Sequence, residues 1–206
     1  MTRLALACAA LALSAVSAAA QPKDPDWPCE QRKVSRLSIG QMWTGELPDA
    51  LPEAAFDPEV EALAARLAAR RTTLEQAETL VAEIGASDAA PRDARLAALF
   101  AETFETIDRE RTRLVEGVTR YAQGQRALAD RIDARQAEIA RLEAETAEDD
   151  FDALDRLDEL RDELAWDVRI YEERNGSLRY VCESPVILER RAFALARVVK
   201  AAMGGG

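Results

Sequence analysis

The feature that most constrains this chain is an apolar repeat of seven residues, which extends over more than half of the sequence. Apolar side chains that alternate at spacings of three and four residues are typical of a helix that packs lengthwise on another helix. The repeat begins after Asp57 and Pro58, a favourable N-cap followed by proline at the first helical position. It predicts a first helix from about 57 to 84, interrupted only by Arg70 at a seam position.

The same repeat predicts a second and much longer helix, from about 91 to 147. Its apolar seam is carried by Ala97, Phe100, Phe104, Ile107, Leu114, Val118, Tyr121, Leu128, Ile132, Ile139 and Leu142. Four polar residues interrupt that seam, namely Arg111, Gln125, Arg135 and Thr146. A repeat sustained over this length favours a left-handed coiled coil over an ordinary globular helix.

Two further helices are predicted, from about 150 to 182 and from about 185 to 203. The break between them is expected at Pro185, because Ser184 before it resembles a new N-cap. The connection between the second and third helices is short, so these two helices are expected to run antiparallel.

One alignment of the second and third helices pairs their apolar layers, with Gln125 opposite Tyr171. We therefore predict an all-α protein with a single helical domain from 57 to 206. In this prediction an antiparallel coiled-coil hairpin arm, residues 118 to 178, projects from a three-helix base.

Residues 21 to 56 differ in composition, since six of the eight prolines fall between residues 22 and 58. Proline lacks a backbone N–H and crowds the preceding residue, so the segment is expected to be extended, with at most one short helix near residues 38 to 43. We refer to residues 21–56 as the strap, because we expect them to lie across the base of the arm.

Two cysteines lie beyond the leader described below, Cys29 in the strap and Cys182 in the third helix. An even pair in an oxidising compartment usually forms a disulfide, which here would fasten the strap at the foot of the arm. The alternative is a redox-active or metal-binding pair. The sequence has no CxxC and no histidine, and two thiolates alone make a poor metal site, so we predict the disulfide.

The strap also concentrates residue types that are favoured at binding sites. They are Trp27, Arg32, Lys33, Met42 and Trp43. In one interpretation Trp27, Met42 and Trp43 cover apolar surface of the base. In the other, the segments WPCEQRK and QMWTG form an exposed surface that recognises a protein partner, because Trp and Arg are common at hot spots. The two interpretations are compatible.

The helix alignment also places Arg135 opposite Arg161 in one seam layer. Two guanidinium groups repel each other unless anions lie between them, so this layer is a candidate anion site or a point at which the arm opens. The alternative is local ion pairing with three neighbouring acids, Glu138, Asp158 and Asp162. The expected tip of the arm, residues 143 to 163, holds eleven acids and two arginines, and we interpret it as a solvated turn.

Residues 1–20 have the pattern of a secretory signal peptide, with Arg3, then an apolar run from Leu4 to Val16, then small residues before Gln21. The apolar run is too short to cross a bilayer core of about 30 Å. Lipid attachment at Cys8 is an alternative use of this segment. We expect export, with a bacterial periplasm as the destination.

Without this leader the chain carries 26 basic and 38 acidic residues, a net charge of −12. That charge disfavours nucleic acid and anionic membranes as partners. The basic, amphipathic segment 185–203 is the one that suits a membrane surface. Its apolar face is also needed to complete the base, which is the interpretation we prefer.

The chain has no histidine, no Gly-rich phosphate loop and no nucleophile motif, which argues against an enzyme. No cofactor or metal is expected. We predict a non-catalytic adaptor, scaffold or accessory subunit that binds another envelope protein through the arm and the strap, and a homo-oligomer is compatible with this role. The alternative is a periplasmic holdase-type chaperone, which would hold unfolded clients between arms.

Overall fold

The computed structural model describes residues 24–43, 52–86, 92–147 and 149–204 of the chain. Within these ranges it contains α-helices and no β-strand, so the predicted all-α class is confirmed. The helices are α1 (Ile39–Met42), α2 (Pro58–Ala68), α3 (Leu74–Gly85), α4 (Arg92–Glu145) and α5 (Phe151–Ala202), with a 3₁₀ turn at Glu53–Ala55. The predicted signal peptide, the first residues of the strap and its residues 44–51 lie outside the described ranges.

The segment predicted as one helix from 57 to 84 is divided by a turn into α2 and α3, so that prediction is wrong in this detail. Arg70, which interrupts the repeat, lies exposed in the turn. Thr73 starts α3 with a capping box: its hydroxyl accepts the N–H of Gln76 at 3.2 Å, and its own N–H donates to the Gln76 side chain at 2.9 Å. These bonds satisfy backbone donors at a helix start, which makes a new helix favourable here.

The end of α2 is held from outside by α5. The guanidinium of Arg191 donates two hydrogen bonds to the carbonyl of Leu67, at 3.1 and 2.5 Å. Burial lowers the pKa of Arg191 from its ordinary value. A cation at the C-terminus of a helix is nevertheless favourable, because the unpaired carbonyls there carry partial negative charge.

The break predicted at Pro185 is absent, because α5 continues through it. The hydroxyl of Ser184 donates to the carbonyl of Tyr180 at 3.0 Å instead of capping a new helix. Proline inside a helix removes one backbone hydrogen bond and costs about 3 kcal/mol. Burial of apolar side chains in the following turns offsets this cost. These side chains are Leu188, Ala192, Leu195, Ala196 and Val199.

The main core lies where α2 and α3 pack against the first part of α4 and the last part of α5. This base therefore contains four helical segments rather than the predicted three, because the first helix is split. Its largest fully buried side chains include Leu67, Leu96, Leu99, Phe100, Ile107, Leu188 and Leu195.

The long helices α4 and α5 pack against each other, and the pairs Gln125–Tyr171, Arg131–Asp167 and Glu143–Arg161 show that they run in opposite directions. Gln125 donates to the carbonyl of Tyr171 at 3.3 Å, which is the pairing that the sequence alignment predicted. A second apolar cluster lies farther along the pair, formed by Ile139, Leu157 and Leu160. No helix in the described ranges offers an 18-residue stretch apolar enough to cross a membrane.

Candidate functional site

Residues 24–43 of the strap follow α4 in the opposite direction, so that residue numbers rise along the strap while they fall along the helix. In order, the contacts join Asp26 to Gln123, Val34 to Arg111, Leu37 to Asp108, and Trp43 to Phe100. The strap therefore packs along α4, and specific side chains of that helix set its path.

Asp108 is the most deeply buried polar residue among these contacts, at 1% exposure. Its carboxylate accepts the backbone N–H of Leu37 at 2.8 Å and the Nε of Arg36 at 3.0 Å. A buried carboxylate is costly unless it is paired and hydrogen-bonded. These two bonds therefore hold the strap at a defined position on α4.

Arg111, one of the polar residues that interrupt the repeat, is a second buried anchor at 4% exposure. Its Nη1 donates to the carbonyl of Val34 at 2.8 Å, and its Nη2 lies 3.4 Å from a carboxylate oxygen of Glu189 on α5. Its Nε has no hydrogen-bond acceptor among the described residues. Arg111 on α4 thus contacts both the strap and α5, and its Nε–H can still donate a hydrogen bond.

The predicted disulfide between Cys29 and Cys182 is confirmed, with the two Cα atoms 5.6 Å apart. Two hydrogen bonds support it. The side chain of Gln31 donates to the carbonyl of Cys182 at 2.6 Å, and the indole N–H of Trp27 donates to the carbonyl of Gln31 at 2.6 Å. The N-terminal part of the strap is therefore fastened covalently to α5, a few residues before Pro185.

The five candidate partner-binding residues lie in two different environments. Met42 and Trp43 are buried, at 6% and 4% exposure, so they do not form an exposed recognition surface. They cover the apolar base instead, because the ring of Trp43 packs 5.0 Å from that of Phe100. Trp27 is half-buried, Arg32 is exposed, and Lys33 forms an ion pair with Asp24 at 2.8 Å.

A cleft of about 630 Å³ lies between the strap and α5, and Trp27 and Arg32 line it. Its other walls include Val34, Arg111, Glu189, Arg190 and Phe193. Val34 and Phe193 are 37% and 41% exposed, which is high for apolar side chains beside a core. The cleft therefore combines guanidinium donors with accessible apolar surface.

A second cleft, of about 620 Å³, continues along α5 past the disulfide. It is lined by Pro28, Leu178, Arg179 and both cysteines, and it shares Gln31, Val186 and Arg190 with the first cleft. We refer to the two clefts together as the strap groove. The sequence indicated Trp27 and Arg32 but not Arg190 or Phe193, because α5 was expected to break beside them.

Arg135 and Arg161, the predicted seam pair, bond to different carboxylates. Arg135 pairs with Glu163 at 2.8 Å and also with Asp167. Arg161 pairs with Glu143 at 2.7 Å and with Asp158 at 3.0 Å. Carboxylates of the chain therefore supply the anions that this layer needs, but of the three acids expected in that role only Asp158 is among them.

Asp167 is the residue that sequence analysis missed in this layer. It is 5% exposed and accepts two hydrogen bonds from Arg131, at 2.8 and 2.7 Å, in addition to that from Arg135. The hydrogen bonds from Arg131 lower the pKa of Asp167. The only signal in the sequence is a pair of arginines one helical turn apart on the facing helix.

The strap groove offers hydrogen-bond donors beside apolar surface, an arrangement that suits binding. The described residues contain no group of three or more His, Cys, Asp or Glu side chains placed to hold a metal ion. Comparison with protein-family models, with curated proteins and with solved structures finds no significant match to this chain.

Proposed function

We propose that this chain is an exported, non-catalytic adaptor or accessory subunit that binds another protein of the cell envelope through the strap groove. The observation that carries the proposal is the groove itself, in which Arg32, Val34 and Phe193 remain accessible beside a disulfide-fastened segment. The signal-peptide pattern of residues 1–20 and the disulfide both favour an oxidising compartment outside the cytoplasm.

The strap suits this role because it is held before any partner arrives. The strap is attached to α4 and α5 at three points, namely the disulfide, the Asp108 carboxylate and the Arg111 guanidinium. Binding to a preorganised surface avoids much of the entropic cost of ordering loops and side chains. A partner would therefore meet a fixed pattern of charged and apolar groups.

The distal part of the α4–α5 pair would project away from the base. We propose that residues 118–178 form the antiparallel coiled-coil arm that the heptad repeat predicts, with a length of about 45 Å. The Gln125–Tyr171 contact and the cluster around Leu157 support this proposal. In this picture the arm holds its acidic tip away from the partner bound at the groove.

Site-specific photocrosslinking in intact cells tests the adaptor role. A photoreactive amino acid at Val34 or Phe193 is expected to capture one defined partner. Phe56 is a matched control, since it is 42% exposed and lines neither cleft. Equal capture from Phe56, or no capture from the groove positions, would contradict the proposal.

A holdase-type chaperone is the second candidate, favoured by exposed aromatic side chains on α5. Phe151, Trp166 and Tyr180 are 74%, 57% and 72% exposed. Their spacings of 15 and 14 residues are close to whole numbers of helical turns, so they lie near one face. Exposed apolar surface of this kind suits capture of unfolded chains.

The chaperone role predicts that the protein suppresses aggregation of several unrelated unfolded proteins. Replacing the three aromatic residues with serine should then remove the suppression, whereas the adaptor role predicts that the same variant still crosslinks its partner from Val34. Light scattering of two chemically denatured clients, with and without the protein, separates the two functions.

A further inference from the structure

We propose that the strap groove binds the C-terminal end of a partner polypeptide. The free carboxylate would lie among Arg32, Arg111 and Arg190, and an apolar last side chain would lie against Trp27 and Phe193. This inference rests on the proposed adaptor function, because it names the chemistry of the partner at the same groove.

The charge of the first cleft indicates an anionic ligand. Its lining includes three arginines, Arg32, Arg111 and Arg190, and one acidic residue, Glu189, in a chain whose net charge is −11. Among the residues that the structure describes, no carboxylate lies within ion-pair distance of Arg32 or Arg190. A cleft lined by more cations than anions favours an anionic ligand, and a carboxylate suits guanidinium donors well.

Arg111 adds a buried donor at the same place. Its side chain is 5% exposed, its contact with Glu189 is long at 3.4 Å, and its Nε has no acceptor in the described part of the chain. A buried N–H without a partner is unfavourable. A carboxylate bound beside Arg111 would add an acceptor to this cleft.

The length of the groove favours a polypeptide over a small carboxylic acid. Its α5 wall runs from Asn175 in the second cleft to Phe193 in the first. That distance is about 27 Å at 1.5 Å per residue, enough for about eight extended residues at 3.3 Å each. A small acid would fill the first cleft alone and leave the rest of the groove unused.

The arrangement of charge favours a chain terminus over an internal acidic residue. The first cleft has an excess of positive charge, whereas in the second cleft Arg179 and Arg190 are balanced by Glu30 and Glu183. Cationic and accessible apolar groups thus coincide at one end of the groove. A last residue presents both a carboxylate and an apolar side chain at that single position, which is a known mode of terminus capture.

The test uses the full oxidised chain and pools of fluorescent random octapeptides that end in Leu, Val or Phe, prepared as free acids and as amides. Fluorescence anisotropy is expected to show binding of the acid pool. Binding of the amide pool should be at least about tenfold weaker, because the amides lack the charged terminal carboxylate that accepts hydrogen bonds from the arginines. Equal binding of acids and amides, or no binding of either pool, overturns the proposal.

Two variants locate the binding. Arg32→Ala with Arg190→Ala should weaken binding of the acid pool at least about tenfold, and because both residues are exposed the variant should retain the wild-type melting curve. Arg120→Ala, an exposed arginine of α4 that lines neither cleft, is the control and should bind like the wild type. Equal losses in both variants would overturn the assignment to the groove.

A last set of measurements distinguishes failure of the terminus proposal from failure of the adaptor function. N-acetylphenylalanine serves as the small-acid probe, and competition as strong as that of the octapeptides would overturn the polypeptide assignment. If Val34 and Phe193 still capture one partner in cells while acids and amides bind equally, the terminus proposal fails and the adaptor function stands. If the groove captures no partner and binds no peptide, both fail.

Discussion

The carboxylate of Asp108 on α4 accepts a hydrogen bond of 2.8 Å from the backbone N–H of Leu37, a residue 71 positions earlier in the chain. This bond is one of the buried polar contacts between the strap and the helix beneath it. It joins a segment without regular structure to a rigid helix, and it satisfies a backbone donor that the strap cannot satisfy internally.

Replacing Asp108 with alanine should therefore release the strap. The N–H of Leu37 would lose its acceptor, and we expect the free energy of unfolding to fall by about 2 kcal/mol. Hydrogen exchange of residues 34–37 should accelerate in the same variant. Glu105→Ala is the matched control, because Glu105 is half exposed and lies 3.7 Å from Arg36, the arginine that also pairs with Asp108. This control should change the free energy of unfolding by no more than about 0.5 kcal/mol.

The disulfide should contribute more to stability than any single hydrogen bond. It links residues 153 positions apart, and the chain-entropy model gives a stabilisation of about 5 kcal/mol for a loop of that length. Cys29→Ser should lower the midpoint of urea unfolding accordingly. Dithiothreitol should bring the wild type to the level of the variant; a reduced wild type that remains as stable as the oxidised protein would contradict this account.

The ion pairs of Asp167 predict a specific response to acid. Hydrogen bonds from Arg131 lower the pKa of Asp167 in the folded protein, so its contribution is complete above the unfolded value of about 4 and is lost as pH falls through the lower folded value. Asp167→Asn should cost about 1–2 kcal/mol at pH 7, a modest amount because Arg131 is 55% exposed.

Urea unfolding of the wild type and of Asp167→Asn between pH 7 and pH 2 checks this prediction. The two stability curves should be parallel at neutral pH and converge at the acidic end. Asp162→Asn is the control, since Asp162 is exposed on the same helix, and it should follow the wild type at every pH. A difference between Asp167→Asn and the wild type that persists at pH 2 would assign the effect to packing.

Three glycines provide a test of local helix energetics. A Cβ added at Gly124 or Gly176 would meet no described atom within 4 Å, so alanine at either position should raise the free energy of unfolding by about 0.5–1 kcal/mol. Gly204 follows α5 with a φ of +75°, and alanine there should destabilise by about 1 kcal/mol. Thermal melts of the three variants measure both signs; stabilisation by Gly204→Ala would contradict the argument.

The sequence predicted α4 well because it is long, and a seven-residue repeat accumulates signal over many turns, whereas α5 was predicted as two separate helices. The predicted helix boundaries were wrong near Thr73 and Pro185. The capping box of Thr73 and Gln76 is legible in the sequence, but the repeat on either side of it suggested a continuous helix. The break at Pro185 was expected from local chemistry alone, whereas the packing of α5 on the base overrides it.

The candidate site was predicted only in part. The cysteine pair follows from cysteine counting and compartment, and Trp27 and Arg32 follow from composition. Arg111 is marked in the sequence only as a polar interruption of the apolar seam. Asp108 and Asp167 lie on long helices whose acids are mostly exposed, and the sequence does not mark these two as buried. Their partners are contributed by distant segments, so only the folded chain identifies them.

The placement of the strap also fixes an order of events in the life of the chain. The strap is synthesised before the helices that it contacts, because the surfaces that it covers belong to α4 and α5. Met42 and Trp43 therefore wait for α4 before they can be buried, and Cys29 waits for 153 further residues before its partner exists. The strap thus reaches its final position only after most of the chain has been made.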